Sequence, residues 1–186
     1  MTVDEPRPTR TCKSKRFTKV MFMAAVARPR YDPAKKAYFD GKIGIWPFVQ
    51  RDLAKNHSKN RPKGTMVTKP VENINHAQFQ KMLVENVLPA VRQKMPRGCR
   101  RHPIFVQQDN ARPHGSAPDS ALQAELGRDG WQVRIRFQPP NSPDLNVLDL
   151  GYFNSIQSLQ HQAAPTNIDE PIGAVEKSFD ERQQQL

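Results

Sequence analysis

Two acids stand where a carboxylate can do chemistry. Asp109 closes the apolar stretch Pro103-Ile104-Phe105-Val106, which runs into Gln107-Gln108-Asp109-Asn110. An acid at the end of a strand in an open α/β sheet is well placed to face a cleft. Asp149 lies one helical turn after Leu145 and one turn before Phe153, near the apolar face of its segment. A carboxylate there is costly unless it is paired or bound to a metal. Two acids converging from a strand end and an inward helix face could hold Mg²⁺, which prefers oxygen ligands and keeps several waters. Two such ions, roughly 3.5–4 Å apart, clamp the attacking and leaving oxygens in phosphoryl transfer. Asp144 belongs to the first turn of the same helix, where the dipole stabilises a carboxylate with no catalytic role. Taken by itself, an Asp at a strand end is more often a turn or cap residue than a ligand.

The elements that must position these acids read as a mixed α/β order. Residues 1–16 are Pro-rich and basic without periodicity, an extended lead-in. The apolar run from Val20 to Ala27, stopped by Pro29, has the length of a strand buried on both faces. Asp32-Pro33 and Asp40-Gly41 are turn signals, and Lys42–Trp46 reads as the returning strand. Residues 50–73, rich in Lys and Arg, read as a long basic loop. Phe79, Met82, Leu83, Val87, Val91 and Met95 recur at helical spacing over 75–96, with Pro89 as a kink. Residues 118–127 read as a short helix closed by Gly127. Trp131, Val133, Ile135 and Phe137 alternate with polar residues as a half-buried strand does. Ser142-Pro143 reads as an N-cap and first-turn proline, opening a helix through Leu145, Leu148, Tyr152, Ile156 and Leu159. Ile168, Ile172, Val175 and Phe179 mark a last amphipathic helix before the Gln-rich tail.

The 186 residues suffice for one domain with a real core. No run of 18 apolar residues exists, so a membrane-spanning helix is not expected. The start, MTVDEPRPTR, has no apolar core of a secretory signal. Two cysteines, Cys12 and Cys99, can make neither a disulfide framework nor a four-cysteine zinc site, and a reducing intracellular compartment is expected. The net charge of +11 is lopsided: residues 1–100 carry 22 Lys+Arg against 7 Asp+Glu, residues 101–186 carry 7 against 11. A basic front half favours a polyanionic partner, usually nucleic acid. A solvated surface is the plainer account of the same lysines.

Two blocks carry a resemblance. Gln107-Gln108-Asp109-Asn110-Ala111-Arg112-Pro113-His114 resembles the DNARPH block of mariner-type transposases. The stretch from Gln138 through Ser142-Pro143-Asp144-Leu145-Asn146 to Asp149 resembles their SPDLN…D block. The segment from Lys13 to Arg30 is similar to the strand region ahead of them, so the likeness covers roughly residues 5–180. It implies an RNase H-like mixed sheet flanked by helices, with three carboxylates of the DDE/D type binding two Mg²⁺ or Mn²⁺ ions. By the same likeness Asp109 and Asp149 are the catalytic and metal-binding acids, with 39 residues between them, and Asn110 and His114 support the site. Asp144, at the 34-residue spacing of other subgroups, matches the block's non-catalytic Asp.

The chain departs from that family at its start. Asp4-Glu5 is followed at once by Pro6 and Pro8 with no apolar run ahead, and Asp32 and Asp40 sit at turns. The first catalytic acid and its strand are therefore expected to be absent, as is a helix-turn-helix region. The expected layout is a lead-in over 1–16, a partial catalytic domain over 17–162, and a C-terminal helix and tail over 163–186. The expected function is a transposase-derived DNA-binding domain, catalytically incomplete, whose intact relatives hydrolyse and rejoin phosphodiesters during DNA integration. Lys13, Lys15, Arg16, Lys55, Lys59, Arg61 and Lys63 are its expected DNA contacts. The resemblance further implies DNA as partner (transposon ends in intact relatives), a homodimer, no membrane and a nuclear location. A non-catalytic nucleic-acid-binding remnant and a basic structural protein are the competing readings.

Overall fold

The apolar run at 20–27 forms strand β1 (Phe22–Val26), which pairs antiparallel with β4 (Lys42–Pro47), placing Met23 opposite Trp46 and Ala24 opposite Ile45. The structure is a computed structural model and describes residues 20–58, 61–114, 118–146, 148 and 168–181. Both faces of β1 are covered. Met23 and Ala25 belong to one apolar cluster, while Phe22, Ala24 and Val26 pack with Ile45 in another. That two-sided burial explains a run with no polar alternation.

The turn signals act as expected, with one element more. A minor hairpin, β2 (Arg30–Asp32) and β3 (Ala37–Phe39), interrupts the connection from β1 to β4. Asp32 Oδ1 accepts the Ala34 N–H and Asp40 Oδ1 accepts the Lys42 N–H, each at 3.0 Å. Gly41 takes φ +86°, a conformation that Cβ-bearing residues avoid. Asp32 and Asp40 are thus turn residues.

The segment 50–73 departs from the expected loop. Strands β5 (Val49–Leu53) and β6 (Met66–Pro70) form an antiparallel ladder with Arg51 opposite Thr68, which leaves only 54–65 between them. Most of β5 is exposed, and even Leu53 and Met66 face solvent. A ribbon with no buried face has no period-two apolar signal to read. Main-chain pairing holds it, with an exposed Asp52–Lys69 ion pair at 3.1 Å contributing little.

The helical pattern at 75–96 is α1 (His76–Met82), a π-helical stretch Leu83–Val87, and α2 (Leu88–Lys94). Asn75 caps α1 reciprocally: its Oδ1 accepts the Gln78 N–H at 2.9 Å, and its N–H donates to Gln78 Oε1 at 3.0 Å. Pro89 has no N–H and its ring crowds the carbonyl four residues back. The widened π stretch sits directly ahead of it and absorbs the expected kink. Phe79, Leu83, Val87, Leu88, Val91 and Met95 are buried against Met23, Ile43, Leu122, Trp131 and Val133.

Beyond the helix, β7 (Ile104–Gln108) and β8 (Val133–Phe137) pair in parallel, Ile104 opposite Val133 and Gln108 opposite Phe137. Parallel neighbours need a crossover, and α3 (Ser120–Leu126) supplies it, capped by Asp119 accepting the Leu122 N–H at 2.8 Å. Arg92 ties α2 to α3 through Glu125 at 2.6 Å, and Arg128 joins the same carboxylate at 2.5 Å. Burial would raise the Glu125 carboxyl, but hydrogen bonds from Arg128 and Arg92 outweigh it and hold the group below its ordinary value. Finally α4 (Asp169–Glu181) lays Val175 and Phe179 on Ile45, closing the second face of the β1–β4 ladder.

The fold is α/β, with antiparallel and parallel strand pairs and helices on either side of β1–β4. Its mixed pairing is carried in separate two-stranded ladders. Among the described residues no main-chain ladder joins β1–β4 to β7–β8; both rest on the cluster around α1 and α2.

Candidate functional site

Asp109 follows the last residue of β7, and its side chain is 41 % exposed. Its Oδ1 accepts the Ala111 N–H at 3.0 Å, which bends the chain into the 3-10 turn Arg112–His114. That turn returns His114 to the acid. His114 Nδ1 lies 2.5 Å from Asp109 Oδ1, off the axis of an aligned hydrogen bond, so the pair is an electrostatic contact when the ring is protonated. Two contacts with α1 fix the turn. The His114 ring stacks on Phe79 with centroids 3.9 Å apart and planes 34° apart, and His76 Nδ1 meets the Pro113 carbonyl at 2.8 Å.

The two sequence blocks are clasped to each other. Asn110 Nδ2 donates to the Gln138 carbonyl at 2.9 Å, and the Gln138 N–H donates to the Gln108 carbonyl at 2.9 Å. Further along, Gln107 Nε2 donates to the Leu145 carbonyl at 3.1 Å. The stretch after β8 therefore runs alongside the end of β7. Asp144 lies exposed in the 3-10 turn Pro143–Leu145. Ser142 departs from its expected role: its side chain caps nothing, and its Oγ donates to the Pro140 carbonyl at 3.4 Å instead. The chain enters the turn at φ −118°, ψ 64°, which is not the extended geometry of a capping residue.

Asp149 lies outside the described residues, as do Lys13, Lys15, Arg16 and Lys59. Lys55 and Lys63 are exposed in the loop of the β5–β6 hairpin. Arg61 is half-buried there; its main chain bridges Ser58, and its Nε has no hydrogen-bond partner among the described residues. Of the named acids, the structure thus brings Asp109 together with Asn110 and His114. Among the described residues no three His, Cys, Asp or Glu side chains converge as a metal site. Asp109 is a hard oxygen donor with both its contacts on Oδ1, which suits one position around a hard cation that keeps much of its water. No helix among the described residues is long and apolar enough to cross a membrane.

Sequence reasoning missed His76, Phe79 and Gln138 as parts of this site. His76 and Phe79 read simply as helix residues, and Gln138 as the edge of a motif. Their partners lie 28–37 residues away, beyond any local pattern.

No protein-family model matches the chain, and no curated protein matches it. Among solved structures it is similar to the catalytic domain of Mos1 mariner transposase. The two are 21 % identical, with a TM-score of 0.47, over 72 % of this chain and 69 % of that one. At that distance the likeness decides nothing about what this chain does.

Proposed function

We propose that the chain is part of a mariner-type DDE/D transposase catalytic domain of RNase H-like fold, which binds DNA through its basic half. The observation that carries this reading is the clasp between the two motif blocks. The resemblance needs residues 107–114 and 138–149 in one site, and Asn110, Gln107 and Gln138 bond the blocks to each other. Asp109, oriented by Ala111 and His114, and Asp149 would hold Mg²⁺ or Mn²⁺. Such an ion supplies Lewis-acid stabilisation of a phosphodiester and a more acidic bound water. His114 and Asn110 keep the carboxylate and its turn in place. Asp109 and Asp149 fit two places of the three-acid pattern that the resemblance implies, and DNA binding is the part of that activity this reading assigns to these residues. A homodimer and a nuclear location belong to the same reading.

Mn²⁺ binding followed by electron paramagnetic resonance tests the site. Asp109→Ala and Asp149→Ala are each expected to release the ion; unchanged binding in both would sink the assignment. The DNA half is tested by the dependence of affinity on salt. Replacing Lys55, Lys59, Arg61 and Lys63 by Ala should flatten the log–log slope by roughly 0.9 for each phosphate that is no longer neutralised. An unaltered slope means the hairpin is not the DNA-binding surface.

A further inference from the structure

The minor hairpin β2–β3 has two unlike faces. Strand alternation puts Arg30, Asp32 and Phe39 on one side and Tyr31 and Tyr38 on the other. The first side is held down. Asp32 is 4 % exposed, Phe39 packs on the main apolar cluster, and Arg30 Nη1 donates to Cys99 Sγ at 3.4 Å. The second side is open. Tyr31 stands directly opposite Tyr38, and the two are 56 % and 70 % exposed. An aromatic pair across two strands can serve the hairpin itself by stacking. Among the described residues neither ring stacks on another, so both keep a free π-face.

The rings are set in positive charge. Lys35 and Lys36 lie in the hairpin's loop and Arg28 precedes it, all exposed. The Arg30–Cys99 contact brings up the 3-10 turn Arg97–Arg101, where Arg97, Arg100 and Arg101 are exposed as well. Among the described residues none of these six cations has an ion-pair partner. The acids of the segment do not offset them: Asp32 is buried in its turn, and Asp40 pairs with Lys42 at 3.6 Å. Unpaired cations suit phosphates, and free aromatic faces suit bases that are not stacked on each other. A duplex offers the first and hides the second.

We propose that Tyr31 and Tyr38 form a stacking platform for unpaired bases, and that this face binds single-stranded DNA, its phosphates along the cations of the hairpin and of the 97–101 turn. The proposal rests on the DNA-binding reading above and adds the form of DNA and a second surface for it.

The test follows the fluorescence anisotropy of a labelled thymidine strand of about 12 nucleotides, within the usual span of one single-strand site. Its control is the same backbone without bases, which keeps the phosphates. The full chain is expected to bind the thymidine strand roughly tenfold tighter than the abasic one, the effect of one stacked base. Tyr31→Thr with Tyr38→Thr keeps strand-forming residues in the hairpin; it should erase that preference and leave abasic binding as it was. Replacing Lys35, Lys36, Arg97 and Arg101 by Ala should weaken both strands and flatten their salt dependence. A 5-iodouracil strand photocrosslinked to the unaltered chain should attach at Tyr31 or Tyr38, a readout that needs no variant to fold. Equal affinity for the two strands, a preference that survives in the Thr pair, an unaltered salt slope, or crosslinks only elsewhere overturns the proposal. Binding of a duplex with neither single strand does so too and leaves the DNA-binding reading standing; binding of no DNA overturns both.

Discussion

The two ladders that share the core differ in how they are dressed. β1–β4 is covered on both faces, by α1 and α2 on one side and by Val175 and Phe179 of α4 on the other. Among the described residues β7–β8 is covered on one. Its outer face carries Phe105, Gln107, Arg134 and Arg136, all exposed, with the Arg136 guanidinium 4.5 Å above the Phe105 ring. Parallel strands are usually buried on both sides, so this exposed face sets the second ladder apart from the first. The first ladder anchors, and the second presents Asp109.

Removing the anchor gives the largest effect. Phe179→Ala should cost about 3–5 kcal/mol, the range for a large buried side chain, measured by urea unfolding; Phe179 is only 2 % exposed. A smaller effect here would mean that α4 covers the ladder loosely. Next comes the tie between α2 and α3. Glu125→Gln leaves the largely buried Arg92 with only the longer Asp129 contact at 3.9 Å and should cost about 2 kcal/mol. The pH dependence has a definite sign. Glu125 is held below its ordinary pKa of 4.5 in the fold, so its stabilisation is full above that value and is lost as pH falls through the folded value. Glu125→Gln should therefore flatten the acid limb of the stability curve.

Gly44→Ala in β4 probes the anchor more gently. A methyl there meets the Trp46 indole, which lies over the glycine. Moving that ring should cost about 1–3 kcal/mol, with a change in tryptophan fluorescence as the accompanying readout. The smallest effect belongs to the bare face: Arg136→Ala removes an exposed cation–π interaction worth about 0.5–1 kcal/mol. If Arg136→Ala proved as damaging as Phe179→Ala, the contrast between the ladders would fail.

The anchor is the readable half. An unbroken apolar run from Val20 to Ala27, and the spacing of Ile172, Val175 and Phe179, state their burial directly, because burial on two faces or one helical stripe leaves a pattern in the chain. The Asp109 strand and its crossover helix are legible as well. The β5–β6 ribbon is not, because a ladder held by its main chain and exposed on its surface imposes no apolar period. Ser142 misleads for a related reason: Ser-Pro is a good helix opening by type, but the local backbone turns the hydroxyl back to Pro140. At the site, Asp109, Asn110 and His114 can be named from their block. His76, Phe79 and Gln138 cannot, since contacts across 28–37 residues are a property of the fold.

The missing main-chain link between the ladders has a mechanical consequence. Among the described residues the half that carries β7–β8 is tied to the half that carries β1–β4 by side-chain contacts and not by a strand ladder: Phe79 with His114, His76 with the Pro113 carbonyl and Arg92 with Glu125. Asn110, Gln107 and Gln138 bind the two motif blocks together, and the His114 and Pro113 contacts pin the Asp109 turn to α1, so the acid is referred to the anchored half through one helix rather than through the sheet.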